Sequence, residues 1–272
     1  MYIFLALKEQ TFNLMIKKIT LPALLLFSSL CACKKENTAF ISVPHTSGAF
    51  DISAVAATEQ PGKYYDEVSG IYKLVLQPGE DGQDALIQWK ADEPANANSN
   101  AGALDEIDGF SWTVYGTPVK GRAIIKFTGL NQVPATAKVL GAKLFLYGRG
   151  TSAPLPQGNS YYPGSPYNSY GGNNLLVKGI TSEWDENTVT WNTIPESVQK
   201  EAYMTAPSNA QWFSNTSVEV TNLVKPMIAD AAINNGFMLK LSNESIYKSI
   251  IFCSSEYADA NKRPKIIVVY KL

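Results

Sequence analysis

This 272-residue chain has one histidine, His45, and three cysteines, so it is poor in the side chains that most often do chemistry. A Ser-His-Asp triad, a Cys-His dyad and a multi-histidine zinc site each need a placed imidazole. His45 falls in a stretch rich in Ser, Thr, Ala and Gly with little periodicity, which is a poor seat for one. Phosphate-binding loops, dinucleotide fingerprints and EF-hand spacing are all missing. Basic charge is not in excess either, with 23 Lys and Arg against 24 Asp and Glu. A nucleic-acid partner would want a clustered basic face, so none is expected. Long apolar runs are absent too. The greasiest stretch, 19–30, contains Pro22 and falls short of the roughly 20 residues of a membrane span.

That short run is informative in its context. Lys17 and Lys18 precede it, and Leu30-Cys31-Ala32-Cys33 closes it ahead of Lys34-Lys35-Glu36. A basic n-region, a short apolar core and small residues before a cleavage point make a secretory signal. The ending resembles the bacterial lipobox, whose cysteine is acylated and becomes the mature N-terminus. Cys33 fits that role. Cys31 does not, because Leu30 would occupy a position that wants a small residue. The expectation is a lipoprotein signal peptide over 1–32 and a lipidated N-terminus with tether over 33–70. Within the signal, 1–14 reads as an over-extended start, since Met15 directly precedes Ile16-Lys17-Lys18. Acyl chains anchor by about 0.8 kcal/mol per buried CH₂. The charged run after Cys33 resembles the tether of surface-displayed Bacteroidota lipoproteins, so outer-membrane, cell-surface display is expected. Cleavage would remove Lys8, Lys17, Lys18 and Glu9, taking the formal net charge from −1 to about −3. Cys253 would be the last free thiol, and its place in Ile250-Ile251-Phe252-Cys253 reads as a buried small hydrophobe.

From Ile71 to Leu272 short β-branched and aromatic runs alternate with Gly, Pro and Asn clusters. Strands are expected at 72–76, 85–89, 122–127, 142–147, 175–180, 188–191, 217–220, 237–241, 250–253 and 265–270. In 142–147, Ala142, Leu144 and Leu146 share one face and Lys143, Phe145 and Tyr147 the other. Such alternation indicates one-sided burial in antiparallel sheets. Only 226–233 reads as helix, with Pro226 at its first position and Gly236 beyond its end. The fold class is therefore all-β, an antiparallel jelly-roll-like β-sandwich or a related sandwich with one short helix.

Four segments resemble the DNRLRE-domain family, an all-β family that overlaps a carbohydrate-binding-module family linked to alginate-type polysaccharides. They are Gln77-Pro78-Gly79-Glu80-Asp81-Gly82-Gln83-Asp84-Ala85-Leu86-Ile87; Arg122-Ala123-Ile124-Ile125-Lys126-Phe127 followed by Leu130, Val133-Pro134 and Ala142-Lys143-Leu144-Phe145-Leu146-Tyr147; Ile180-Thr181-Ser182-Glu183-Trp184-Asp185-Glu186-Asn187-Thr188-Val189-Thr190-Trp191-Asn192, ending at Pro195; and Gly236-Phe237-Met238-Leu239 with Phe252 to Glu256 and Arg263-Pro264-Lys265. The third is the most specific. The family usually carries Phe-Asp after the arginine strand, whereas Thr128 follows Phe127 here. The resemblance implies polysaccharide binding, alginate-like in kind, and no catalysis.

The residues themselves suggest where binding would occur. Residues 157–174 hold Tyr161, Tyr162, Tyr167 and Tyr170 among Gly, Pro, Asn and Ser. Amphipathic rings beside adaptable hydrogen-bonding groups suit sugars, whose CH faces stack and whose hydroxyls bond. An ordered crossover with tyrosines packed on the sandwich would have the same composition. A second candidate is the Gly- and Asp-rich loop bearing Phe110, Trp112 and Tyr115. Trp184 and Trp191 read as closing the core edge, and Asp185, Glu186 and Asn187 as a turn. Arg122 and Arg263 read as structural, bonding loop carbonyls or carboxylates. Asp81, Asp84, Asp185 and Glu186 offer hard oxygens that suit a structural calcium. A glycosidase needs only two carboxylates, but Glu183, Asp185 and Glu186 lie too close in sequence to flank a sugar. The leading expectation is a non-catalytic lipoprotein that captures a polysaccharide. A structural or adhesion module binding protein or matrix comes second, and a polysaccharide hydrolase or lyase third.

Overall fold

The computed structural model describes residues 41–42, 52, 55–79, 82–198 and 201–272. The expected signal peptide over 1–32, Cys33, His45 and Asp81 lie outside them. Among the described residues the strands are β1 (Ile41–Ser42), β2 (Gly62–Asp66), β3 (Ile71–Leu76), β4 (Gln83–Lys90), β5 (Glu106–Val114), β6 (Thr117–Lys126), β7 (Lys138–Leu146), β8 (Leu175–Gly179), β9 (Tyr203–Met204), β10 (Thr216–Glu219), β11 (Phe237–Leu241), β12 (Lys248–Cys253) and β13 (Lys265–Lys271). One sheet has the order β1-β2-β3-β13-β7-β10 and the other β12-β5-β6-β11-β8-β9, with β4 also paired to β6. β1 runs parallel to β2, and the remaining pairs are antiparallel. The fold is an all-β sandwich, as the alternation implied.

The main core lies between the sheets. Leu144, Leu146, Ile266 and Val268 meet Ile125, Val177, Phe237, Leu239 and Phe252, all fully or nearly fully buried. Alternation explains these faces but understates burial. Phe145 and Tyr147 point to the opposite side of β7 and are also buried, with Ile71, Val75, Ile267 and Val269, beneath Val55, Ile52 and Tyr64. The covering residues belong to the segment read from sequence as lead-in. It is held by polar ties as well: Lys265 Nζ donates to the carbonyls of Ala57 (2.7 Å) and Glu59 (2.6 Å), Tyr147 Oη donates to Ala57 O (2.9 Å), and Lys73 pairs with Glu59 at 2.6 Å. Each satisfies a polar group that burial would otherwise penalise.

Three local expectations are corrected. The helix α1 spans Thr221–Ala229 and has Pro226 in its interior; a short 3₁₀ turn, Ala231–Ile233, follows. Packing outweighs the proline penalty, because Thr221, Val224 and Ile228 on one line and Leu223 and Met227 on the next are all buried. Residues 188–191 form no strand. Asp185 captures the local backbone instead: its carbonyl accepts from Thr188 and Val189 N–H, and its Oδ1 accepts from Asn187 N–H at 2.9 Å. Thr193 Oγ1 takes the Thr190 N–H at 2.9 Å. Side chains that offer such partners compete with a ladder. The supposed loop bearing Phe110, Trp112 and Tyr115 is strand β5 and its hairpin to β6. Tyr115 (φ 51°) and Gly116 (φ 85°) form the tip, a two-residue turn of the kind that matches sheet twist.

Phe237, wholly buried with its ring 6.4 Å from Phe127, is a direct probe of this core. Phe237→Ala is expected to lower the unfolding free energy by about 3–5 kcal/mol, measured by urea denaturation.

Candidate functional site

β12 is an edge strand, and its unpaired side needs a cover. Residues 157–174 supply it without being a strand. Ser160 N–H donates to Ser249 O (2.9 Å) and Ser160 Oγ accepts from Ser249 N–H (3.0 Å). Asn159 Oδ1 accepts from Ile251 N–H (2.9 Å), and Ser249 Oγ donates to Gly158 O (2.7 Å). Asn173, fully buried, donates to Ser249 O and Ser208 Oγ and accepts from Ser208 N–H. The long segment is thus fastened by side chains that stand in for a neighbouring strand's backbone.

This fastening decides where the predicted rings go. Tyr167 and Tyr170 join Trp112 of β5 and Tyr247 of the β11–β12 turn in one half-exposed cluster. Trp112 lies edge-on to Tyr167 (4.7 Å between centroids) and Tyr247 (5.2 Å), and Tyr170 meets Tyr247 at 4.9 Å. Three segments therefore converge on one aromatic patch. Tyr247 holds a left-handed backbone (φ 66°), an uncommon state for an aromatic residue. It was not legible as a site residue, since a lone tyrosine in a short turn carries no signal. Tyr161, Tyr162 and Tyr115 do not join the patch. Tyr161 and Tyr162 are half-buried and serve through their backbones, which bond Ser208 and Asn168. Tyr115 stands fully exposed at its hairpin tip.

The turn that carries Tyr247 also reaches, through Glu244, a groove of about 330 Å³ in which Arg122, Lys178 and Lys240 outnumber the acidic Glu196, with Met238, Ile194, Pro195 and Ser197 completing the lining, a cationic groove by count. Glu244 in that turn takes a two-pronged bond from Arg122, Nε to Oε1 at 2.7 Å and Nη2 to Oε2 at 2.9 Å. The same guanidinium lies 4.8 Å over the ring of Trp191, which neighbours Trp89. Burial pushes the Glu244 carboxyl up, but Arg122, Lys240 and Lys120 outweigh it and hold the group below its usual range. Arg263 also bonds a loop carbonyl, that of Tyr257, as its sequence context suggested.

The carboxylates separate into three roles. Asp185 is a turn former. Asp84 and Glu186 come together and are joined by Glu256, which sequence reading missed. Burial, then Glu256 beside it, pushes Asp84 well above the ordinary carboxylate range. Asp108 is buried on β5 with neither oxygen in a good hydrogen bond, close to Glu106, Asp105 and Arg149. Burial, then Glu106, pushes its carboxyl far up. Burial also pushes the Cys253 thiol up to about 12, so that cysteine packs as an unreactive apolar group.

Residues 161–270 match carbohydrate-binding module family 96. No curated protein matches the chain. The C-terminal part of the sandwich is therefore similar to a carbohydrate-binding module, and the match takes in Tyr167, Tyr170, Tyr247, Lys178 and Lys240. Trp112 and Arg122 reach the same surfaces from strands that precede it.

Asp108 supplies a pH test of the buried carboxylates of β5, Glu106 and Asp108, beside Arg149. Folded Asp108 holds its proton more tightly than the unfolded chain does, so it favours the fold below about pH 4. That contribution is lost as pH rises through its raised folded value. Asp108→Asn should flatten the fall in unfolding free energy as pH rises above about 4, read by denaturant titration at each pH.

Proposed function

We propose that this protein is a non-catalytic, lipid-anchored carbohydrate-binding lipoprotein of the outer membrane that captures a polysaccharide at the cell surface. The observation that carries the binding reading is the aromatic patch. Trp112, Tyr167, Tyr170 and Tyr247 come from distant segments, yet they converge on one half-exposed surface that the pinned 157–174 segment holds in place. Sugar CH faces stack on such rings, and ordering the segment in advance lowers the entropy cost of binding. The neighbouring groove supports an acidic, alginate-like glycan, because Lys178, Lys240 and Arg122 would meet sugar carboxylates. The non-catalytic reading rests on the family match, and the anchor rests on the Cys33 motif.

Isothermal titration of the purified chain against acidic and neutral polysaccharides tests the binding surface. Tyr170→Ala and Tyr247→Ala should each weaken binding by about 1–3 kcal/mol, by analogy with base stacking, or roughly 5- to 150-fold. Melting of Tyr170→Ala should change little, since 45 % of that residue is exposed. Lys240→Ala should weaken only acidic glycans, and added salt should shrink the difference. Full affinity in all three folded variants would refute this surface. Turnover of any polysaccharide would refute the non-catalytic reading. Silence on glycans with capture of a surface protein would favour an adhesion module.

For the anchor, Cys33→Ala should abolish incorporation of labelled palmitate and partition into detergent, in cells that export the chain. Unchanged labelling would contradict the assignment.

A further inference from the structure

Asp84 opens β4, Glu186 sits in the turn after Trp184, and Glu256 follows β12. One carboxylate oxygen from each lies within 4.8 Å of the other two. These segments are far apart in the chain and meet only in the fold. Asp84 is 1 % exposed, and its Oδ1 has no hydrogen-bond partner. Its Oδ2 accepts from Ser255 N–H at 2.7 Å, which fixes the carboxylate plane. Glu256 has the same division: Oε1 accepts from Ser255 Oγ at 2.9 Å, and Oε2 is buried without a partner. Glu186 Oε1 accepts from Asp84 N–H at 2.7 Å.

The surroundings hold these groups in place. Asn100 Nδ2 donates to the carbonyls of Glu186 (2.7 Å) and Val189 (2.8 Å), pinning the turn from below. Glycine at position 102 makes room for it. A Cβ there would stand only 2.2 Å from Glu186 O and 2.7 Å from its Cγ. Two buried oxygens without hydrogen-bond partners, on carboxylates that approach within 4.8 Å of one another, make an acceptor-rich pocket. A buried acceptor of this kind costs about 1–3 kcal/mol, and more when charged. A hard divalent cation resolves that cost, because calcium takes carboxylate oxygens at 2.3–2.6 Å and tolerates irregular geometry. Oxygens sharing one calcium are then at most about 5 Å apart, in keeping with the spacing here.

We propose that Asp84, Glu186 and Glu256 form a calcium-binding site that staples the start of β4 to the 182–198 segment and to the turn after β12. The site is separate from the aromatic patch and needs no glycan. It lends order to the segment that carries Trp191 and residues 194–197 of the groove.

The test uses the purified full chain stripped of metal, titrated calorimetrically with calcium chloride and with magnesium chloride, with thermal melts alongside. One calcium per chain should bind, magnesium should bind more weakly, and saturating calcium should raise the melting temperature by several degrees. Glu256→Gln should weaken calcium binding by about tenfold or more. In chelator its melting temperature should equal or exceed that of the unaltered chain, since one like charge is gone. A purely structural Glu256 would instead lower the melting temperature in chelator and leave calcium affinity unchanged. That result, or no calcium binding to the folded chain up to about 10 mM, overturns the proposal.

Discussion

Every backbone N–H and C=O that leaves water must find a partner, and in this sandwich that requirement falls hardest on the edge strand β12. It is buried along its whole length, yet it has a neighbouring strand, β5, on one side alone. Asn159, Ser160, Asn173 and Ser249 answer with side-chain amides and hydroxyls, so an irregular segment does the work of a strand. The consequences spread outward. The same bonds fix residues 157–174, which set Tyr167 and Tyr170 against Trp112 and Tyr247. A segment that would otherwise sample many shapes becomes a platform.

Most of the architecture was legible because hydrophobic periodicity is a local signal. β6, β11 and β13 alternate or run fully apolar, and each was placed within a few residues of its true bounds, save the N-terminal half of β6. Failures occurred where tertiary structure overrides local preference. β5 was missed because Glu106, Asp108 and Gly109 interrupt its pattern. Two of these are carboxylates buried in an unusual polar layer, and Gly109 leaves room for Leu175. Residues 188–191 have strand composition, but Asp185 and Thr193 supply closer partners for their backbone. Pro226 marks a helix start in most contexts and lies inside α1 because five buried residues hold that helix down.

The candidate surfaces were half legible for a related reason. Composition singled out the tyrosine-rich segment, and resemblance singled out the Trp184 to Trp191 stretch. Which tyrosines converge depends on a turn 80 residues away in sequence, so neither signal could choose Tyr167 and Tyr170 over Tyr161 and Tyr162, nor name Tyr247. Asp84 and Glu186 were visible as hard oxygens. Their partner Glu256 was not, because proximity across β4 and the turn after β12 is a property of the fold. Arg122 is a similar case. Its ion pair with Glu244 and its seat on Trp191 both serve structure, and the same contacts place it at the wall of a cationic groove.

The central claim is that the 157–174 segment is fastened before any ligand arrives. Amide hydrogen exchange on the full chain, with and without an acidic polysaccharide, reads this most directly. The account expects Ser160, Ser249 and Ile251 to exchange as slowly as β6 and β13 in the free protein. Added glycan should then increase protection at residues 167–171, 194–197 and 247, and not across the whole 157–174 segment. Exchange of Ser160 and Ile251 at loop-like rates in the free protein, with protection gained across the whole 157–174 segment on binding, would contradict it.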